Sequence, residues 1–171
     1  MSAALASPSE PRPLVIGIGN ELRGDDGCGL RVIDALQRDP TVDADLVRTT
    51  GEPAALLDLW RGRDRVVIID ALVAAQVAGT ILRWVPRDGR WRPEGAATSS
   101  HGLSLGEAIE LGRSLGRLPR RLVVLGIVAA DLTIGAGLTS RVAEAIPRIA
   151  AEVRREIAAT ERDAEGADGR A

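Results

Sequence analysis

Two adjacent carboxylates, Asp25 and Asp26, stand in Gly17-Ile18-Gly19-Asn20-Glu21-Leu22-Arg23-Gly24-Asp25-Asp26-Gly27, directly after the apolar Leu14-Val15-Ile16. A third carboxylate, Asp70, closes the β-branched run Val66-Val67-Ile68-Ile69. The single histidine of the chain, His101, lies in Thr98-Ser99-Ser100-His101-Gly102, a polar stretch ahead of a helical pattern. A glycine-rich turn after a first strand ordinarily offers its N–H groups to a phosphate. Acid at that place repels phosphate and attracts a cation. If the chain brings Asp26, Asp70 and His101 together, two carboxylates and a neutral imidazole form a mixed oxygen and nitrogen donor set. Such a set suits a borderline divalent metal such as nickel or zinc, and three protein donors leave positions open for water or for groups from a partner.

Each of these residues also has a plain structural use. Asp25 or Asp26 is a natural N-cap that complements the dipole of the following helix. Asp70 at a strand end can accept backbone N–H groups, and a lone histidine is more often a surface or structural residue than a ligand. Cys28 sits beside the acidic turn with no second histidine to activate it, and it reads as a small buried residue rather than a nucleophile.

The elements that must position these groups follow from periodicity. Leu14 to Ile18 suits a strand buried on both faces. Gly27 to Arg38 carries Leu30, Ile33, Ala35 and Leu36 at helical spacing and stops before Pro40. Asp45 to Thr50 is a second strand, Gly51-Glu52-Pro53 a break, and Ala54 to Trp60 a short helix. Val66 to Asp70 is a strong strand. Thr80 to Val85 is another, followed by a polar loop from Pro86 to Ser100. Leu103 to Leu115 is helical in spacing, Leu122 to Val128 is a strand, and Thr139 to Ala159 is a long helix that Pro147 should kink or split. Strands alternating with helices argue for a mostly parallel, doubly wound α/β sheet between helix layers. Thr80 to Val85 follows its predecessor without an intervening helix, so it should be an antiparallel edge strand. In an open sheet of this kind ligands bind beyond the carboxyl ends of the strands, where the acidic residues lie. The expected organisation is a flexible leader at 1–12, a single domain at 13–160 and a disordered tail at 161–171.

Composition narrows the function classes. The 171 residues include one Cys and carry a formal charge of −2. That excludes an internal disulfide and a multi-cysteine zinc site, and gives no electrostatic case for nucleic acid or an anionic membrane. No apolar run approaches a membrane span and the first residues lack a signal-peptide pattern, so the expectation is a soluble cytoplasmic protein. The core must be aliphatic, because there is no Phe or Tyr and only Trp60, Trp84 and Trp91. Two other enzyme classes fit poorly. A dinucleotide fingerprint would need glycine where Leu22 stands, and its helix mouth would not be acidic. A hydrolase triad lacks a Gly-x-Ser-x-Gly element in a strand–turn–helix context and a serine or cysteine paired with the single histidine.

The chain resembles the hydrogenase maturation endopeptidases, which process the large subunit of nickel–iron hydrogenases. The resemblance rests on the run Gly17 to Gly29, on Val67-Ile68-Ile69-Asp70-Ala71, on Ser99-Ser100-His101-Gly102-Leu103, and on Leu125-Gly126-Ile127-Val128 with Gly137-Leu138-Thr139. It spans about residues 14 to 155. It implies a twisted sheet flanked by helices. It also implies removal of a short C-terminal peptide from a large-subunit precursor after nickel insertion, with nickel as the recognition element. The family's metal-contacting positions fall on Asp26, Asp70 and His101, which would serve both as catalytic and as metal-contacting residues. Some members have Glu at the Asp26 position. The Pro-Glu pair of some relatives after the fifth strand is replaced by Ala129-Ala130-Asp131, and the Gln after the histidine by Gly102; these departures bear on the substrate-facing surface. The resemblance makes nickel a group contributed by the substrate rather than held tightly by the free protein. The partner is then the precursor, met transiently by a monomer. A non-cutting, nickel-checking chaperone of the same fold is the alternative reading.

Overall fold

The computed structural model describes residues 11–86 and 104–159. Strand β1 (Leu14–Ile18) is buried at every position because it has neighbours on both sides and helices on both faces. The other strands are β2 (Asp45–Thr49), β3 (Arg65–Leu72), β4 (Ile81–Trp84) and β5 (Arg121–Val128). They form one sheet in the order β2-β1-β3-β5-β4. The pairs β1–β2, β1–β3 and β3–β5 are parallel, and β4 lies antiparallel to β5 at the edge.

Among the described residues four helices cover the sheet: α1 (Cys28–Gln37), α2 (Pro53–Leu59), α3 (Ser104–Ser114) and α4 (Ser140–Ala158). The side-chain alternation of the strands divides the core. Val15, Val67, Ile69, Val123 and Leu125 pack with Val32, Ile33 and Leu36 of α1 and Val142, Ala145 and Ile149 of α4. Leu14, Ile16, Val66, Ile68 and Val124 pack on the opposite face with Leu56 of α2 and Leu105 and Ile109 of α3. Trp60 and Trp84 fill that second layer, where no Phe or Tyr is present to do so.

The order of connections decides where a ligand can enter. From β1 the chain crosses through α1 to β2 on one side, then through α2 to β3 on the other side of β1. Consecutive right-handed crossovers that move in opposite directions put their helices on opposite faces. The switch point of the sheet, where folds of this kind form a ligand-binding crevice, therefore lies between the carboxyl ends of β1 and β3.

Two glycines let α1 sit close to that point. A Cβ on Gly29 would stand 2.3 Å from the Ile18 carbonyl oxygen and 2.8 Å from that of Ile69. A Cβ on Gly17 would stand 2.4 Å from the Gly29 carbonyl oxygen. Helix and strands thus meet backbone to backbone.

Three expectations need correction. Of the two outcomes expected at Pro147, a kink or a split, the split does not occur: the last helix runs unbroken from Ser140 to Ala158. A proline removes one rung of the ladder, while Val142 and Ala145 before it and Ile149 and Val153 after it bind both halves to the sheet. β3 does not end at Asp70 but continues to Leu72, because β5 extends alongside and pairs Asp70 with Gly126 and Leu72 with Val128. Neither Asp25 nor Asp26 caps α1: both lie in a 3-10 turn, Gly24–Gly27, and the N-cap position falls on Gly27 with no side-chain cap. Among the described residues no helix is long and apolar enough to cross a membrane.

Candidate functional site

The acidic turn and the end of β3 meet at the switch point. β1 and β3 pair as far as Gly17 with Ile69. Asp70 is the next residue of β3, so it stands at the mouth of the crevice, still bonded to β5 on its other side. Strand alternation puts it on the face of Ile68 and Leu72, which carries α2 and α3. Asp26 lies in the 3-10 turn that packs against β3. Both residues are completely buried. One oxygen of Asp70, Oδ1, accepts the Ala71 N–H at 2.8 Å.

The charges of the three carboxylates act on Cys28. Burial pushes its thiol well above the usual range, and the charges of Asp70, Asp25 and Asp26 each push it further. A thiol so placed stays protonated and is a poor nucleophile. The sequence reading of Cys28 as a small buried residue is therefore correct, and it belongs to the layer between the sheet and α1.

Asp25 does something no local pattern announces. It too is completely buried. Its Oδ2 accepts from the N–H of Ala130 at 2.8 Å, the N–H of Asp131 at 3.1 Å and the hydroxyl of Thr139 at 3.0 Å. Its Oδ1 accepts the Thr139 N–H at 2.7 Å. Thr139 is the N-cap residue of α4, so the positive end of that helix also faces the carboxylate. Four donors thus satisfy a carboxyl group that is completely buried. The partners lie 105 to 114 residues away in sequence, so only the folded chain reveals them.

His101 lies outside the described residues. Asp26 and Asp70 are brought to one crevice. α3, which begins three positions after His101 in the sequence, packs on the same face as Asp70. Because α3 leads into β5 at Arg121, the amino edge of the sheet, its first turn points toward the carboxyl edge. Among the described residues no group of three His, Cys, Asp or Glu side chains is placed to hold a metal ion. The chemistry available in the described part of the site is that of two buried carboxylates: cation contact, or proton acceptance from water.

The chain is similar to known proteins in sequence and in fold. The sequence profile described as HycI, hydrogenase maturation protease, matches residues 30–156. The hydrogenase expression/formation protein HupD of Thiocapsa roseopersicina is 33% identical over 142 residues, which cover 81% of this chain and 64% of that protein. This chain thus spans less than two thirds of that relative's length. The hydrogenase 2 maturation protease of Escherichia coli (strain K12) is 31% identical over 139 residues, covering 77% of this chain and 81% of that protein. Among solved structures, the hydrogenase maturating endopeptidase HybD of E. coli superimposes with a TM-score of 0.66 at 25% identity, covering 84% of this chain and 93% of that one.

Proposed function

The chain belongs to the hydrogenase maturation protease family, and from that premise we propose that it is an endopeptidase acting on the precursor of a nickel–iron hydrogenase large subunit. It removes a C-terminal peptide, and the nickel already seated in the precursor is the feature it recognises. The observation that supports this reading is the pair of buried carboxylates, Asp26 and Asp70, at the mouth of the switch-point crevice.

Two like charges in one buried crevice cost free energy that a divalent cation offsets. A nickel ion held by precursor thiolates brings that cation with the substrate. Asp26, Asp70 and His101 are the groups proposed to contact it. Docking on them fixes the scissile bond in register, and positioning of that kind lowers a barrier by several kcal/mol, about 7 or more in the best intramolecular cases. A carboxylate of the pair accepts a proton from the attacking water. The buried Cys28 thiol, the only one in the chain, takes no part, so the cut proceeds without a cysteine nucleophile. The protein works in the cytoplasm as a monomer that meets its precursor transiently.

The test is incubation of a nickel-loaded precursor with the wild-type chain and with Asp26→Asn, Asp70→Asn and His101→Ala, each first shown to be folded by circular dichroism. Release of the C-terminal peptide by the wild-type chain alone is the expected result. Full cutting by any folded variant overturns that residue's assignment. Binding by the wild-type chain without cutting would make it a non-cutting chaperone.

A further inference from the structure

Asp25 is a completely buried carboxylate that the proposed chemistry leaves unused. Around it, two segments that leave the carboxyl edge of the sheet are tied together. One is the acidic turn between β1 and α1, and the other is the stretch 129–139 between β5 and α4. Besides the bonds to the Asp25 carboxylate, the Gly24 N–H donates to the Ala136 carbonyl at 3.1 Å and the Asp25 N–H to the Asp131 carbonyl at 2.8 Å. The Gly135 N–H donates to the Leu22 carbonyl at 2.8 Å. Gly24, at φ +51°, sits so close to the second segment that a Cβ there would stand 2.5 Å from the Asp131 carbonyl oxygen.

Asp26 is the next residue after Asp25 in a four-residue 3-10 turn. A turn that short has few internal hydrogen bonds to hold its shape. Its conformation must come from what it is tied to, and a reacting group needs its place held to about 0.5 Å. Five of these seven ties run through Asp25. Every group bonded to its side chain is a donor: three backbone N–H groups and one hydroxyl. A carboxyl side chain offers two oxygens to these four donors, whereas an amide has one acceptor oxygen and presents N–H to the rest.

We infer that Asp25 is a positioning residue whose carboxylate latches the 129–139 segment to the acidic turn and so sets the place of Asp26 in the crevice. The inference rests on the peptidase reading for its catalytic consequence, but the latch is measurable without it.

The variant Asp25→Asn keeps the size of the side chain and turns a donor toward the bonded N–H groups. Amide hydrogen exchange reads the latch directly. In the variant the N–H groups of Gly24 and Gly135 lose protection while those of β1 and β3 keep theirs. Precursor cutting, assayed at a temperature where the variant is fully folded, shows kcat reduced between about tenfold and a hundredfold, the range expected of a misplaced reacting group, with a smaller change in KM. Thr139→Val, which loses only the hydroxyl bond, shows the same pattern to a lesser degree and guards against a misfolded first variant. Wild-type protection at Gly24 and Gly135 in folded Asp25→Asn, or a lower melting temperature with unchanged kcat, overturns the inference. A wild-type chain that does not cut overturns the peptidase reading instead, and amide protection alone then decides the latch.

Discussion

Gly29 sets two effects of opposite sign against each other. It lies in the first turn of α1, where alanine is the better helix former by about 1 kcal/mol. By propensity alone, Gly29→Ala stabilises the protein. The structure says otherwise. The added Cβ would stand 2.3 Å from the Ile18 carbonyl oxygen, 2.8 Å from the Ile69 carbonyl oxygen and 3.0 Å from the Ile18 nitrogen. These are backbone atoms of the two strands that flank the crevice, so no side chain can rotate out of the way. α1 must lift, and Val32, Ile33 and Leu36, all fully buried, lose contact with the sheet. A contact of 2.3 Å with backbone puts this overpacking at the upper end of its usual range, about 3 kcal/mol, which exceeds the propensity gain and leaves a net loss of about 2 kcal/mol. In a domain of this size each kcal/mol lowers Tm by about 2–4 °C, so Tm falls by roughly 4–8 °C. Urea unfolding followed by circular dichroism measures it. Gly137→Ala is the control, because a Cβ there meets nothing within 4 Å, and it should change stability by less than about 0.5 kcal/mol. A Gly29→Ala variant as stable as the wild type, or more so, would refute the claim that backbone contact seats α1 at the switch point.

Other predictions follow from single environments. Cys28→Ala cuts precursor at the wild-type rate and loses about 1 kcal/mol of stability from the small cavity it leaves; loss of cutting in a folded variant would restore the thiol to the mechanism. Burial raises the Glu156 carboxyl, but hydrogen bonds from Arg83 at 2.5 Å and Arg121 at 2.9 Å outweigh it and hold the group below its ordinary range. A folded-state value below the unfolded one adds stability that is complete above the unfolded value and is lost as pH falls through the folded one. Glu156→Gln is therefore less stable at neutral pH, by about 1–2 kcal/mol, and its acid unfolding curve below pH ~4.3 is flatter than that of the wild type; parallel curves would contradict this. ATP or NAD at millimolar concentration leaves Tm unchanged, because the helix mouth is acidic and Leu22 replaces the glycine a dinucleotide needs; a clear upward shift would reopen the nucleotide reading.

Much of the fold is legible in the sequence because its strands are extreme. β1, β3 and β5 are continuous apolar runs, which only a sheet covered on both faces requires. The antiparallel edge strand follows from the missing helix between β3 and β4. The acidic turn and Asp70 stand out because carboxylates interrupt apolar or glycine-rich runs. What escapes is non-local. The length of β3 past Asp70 depends on β5 running beside it. The tolerance of Pro147 depends on a buried face on both sides of it. The bonds of Asp25 join residues that only tertiary structure brings together, so the local capping rule names the wrong role for it. His101 lies outside the described residues, and its part in the site rests on its place in the sequence ahead of α3.

The central claim is that nickel in the precursor gates the cut. Its most direct test is intact-mass spectrometry of a cognate large-subunit precursor, nickel-loaded and nickel-free, after incubation with this protein. The account predicts loss of a C-terminal peptide from the nickel-loaded form alone. Equal loss from both forms, or loss from the nickel-free form only, would contradict it.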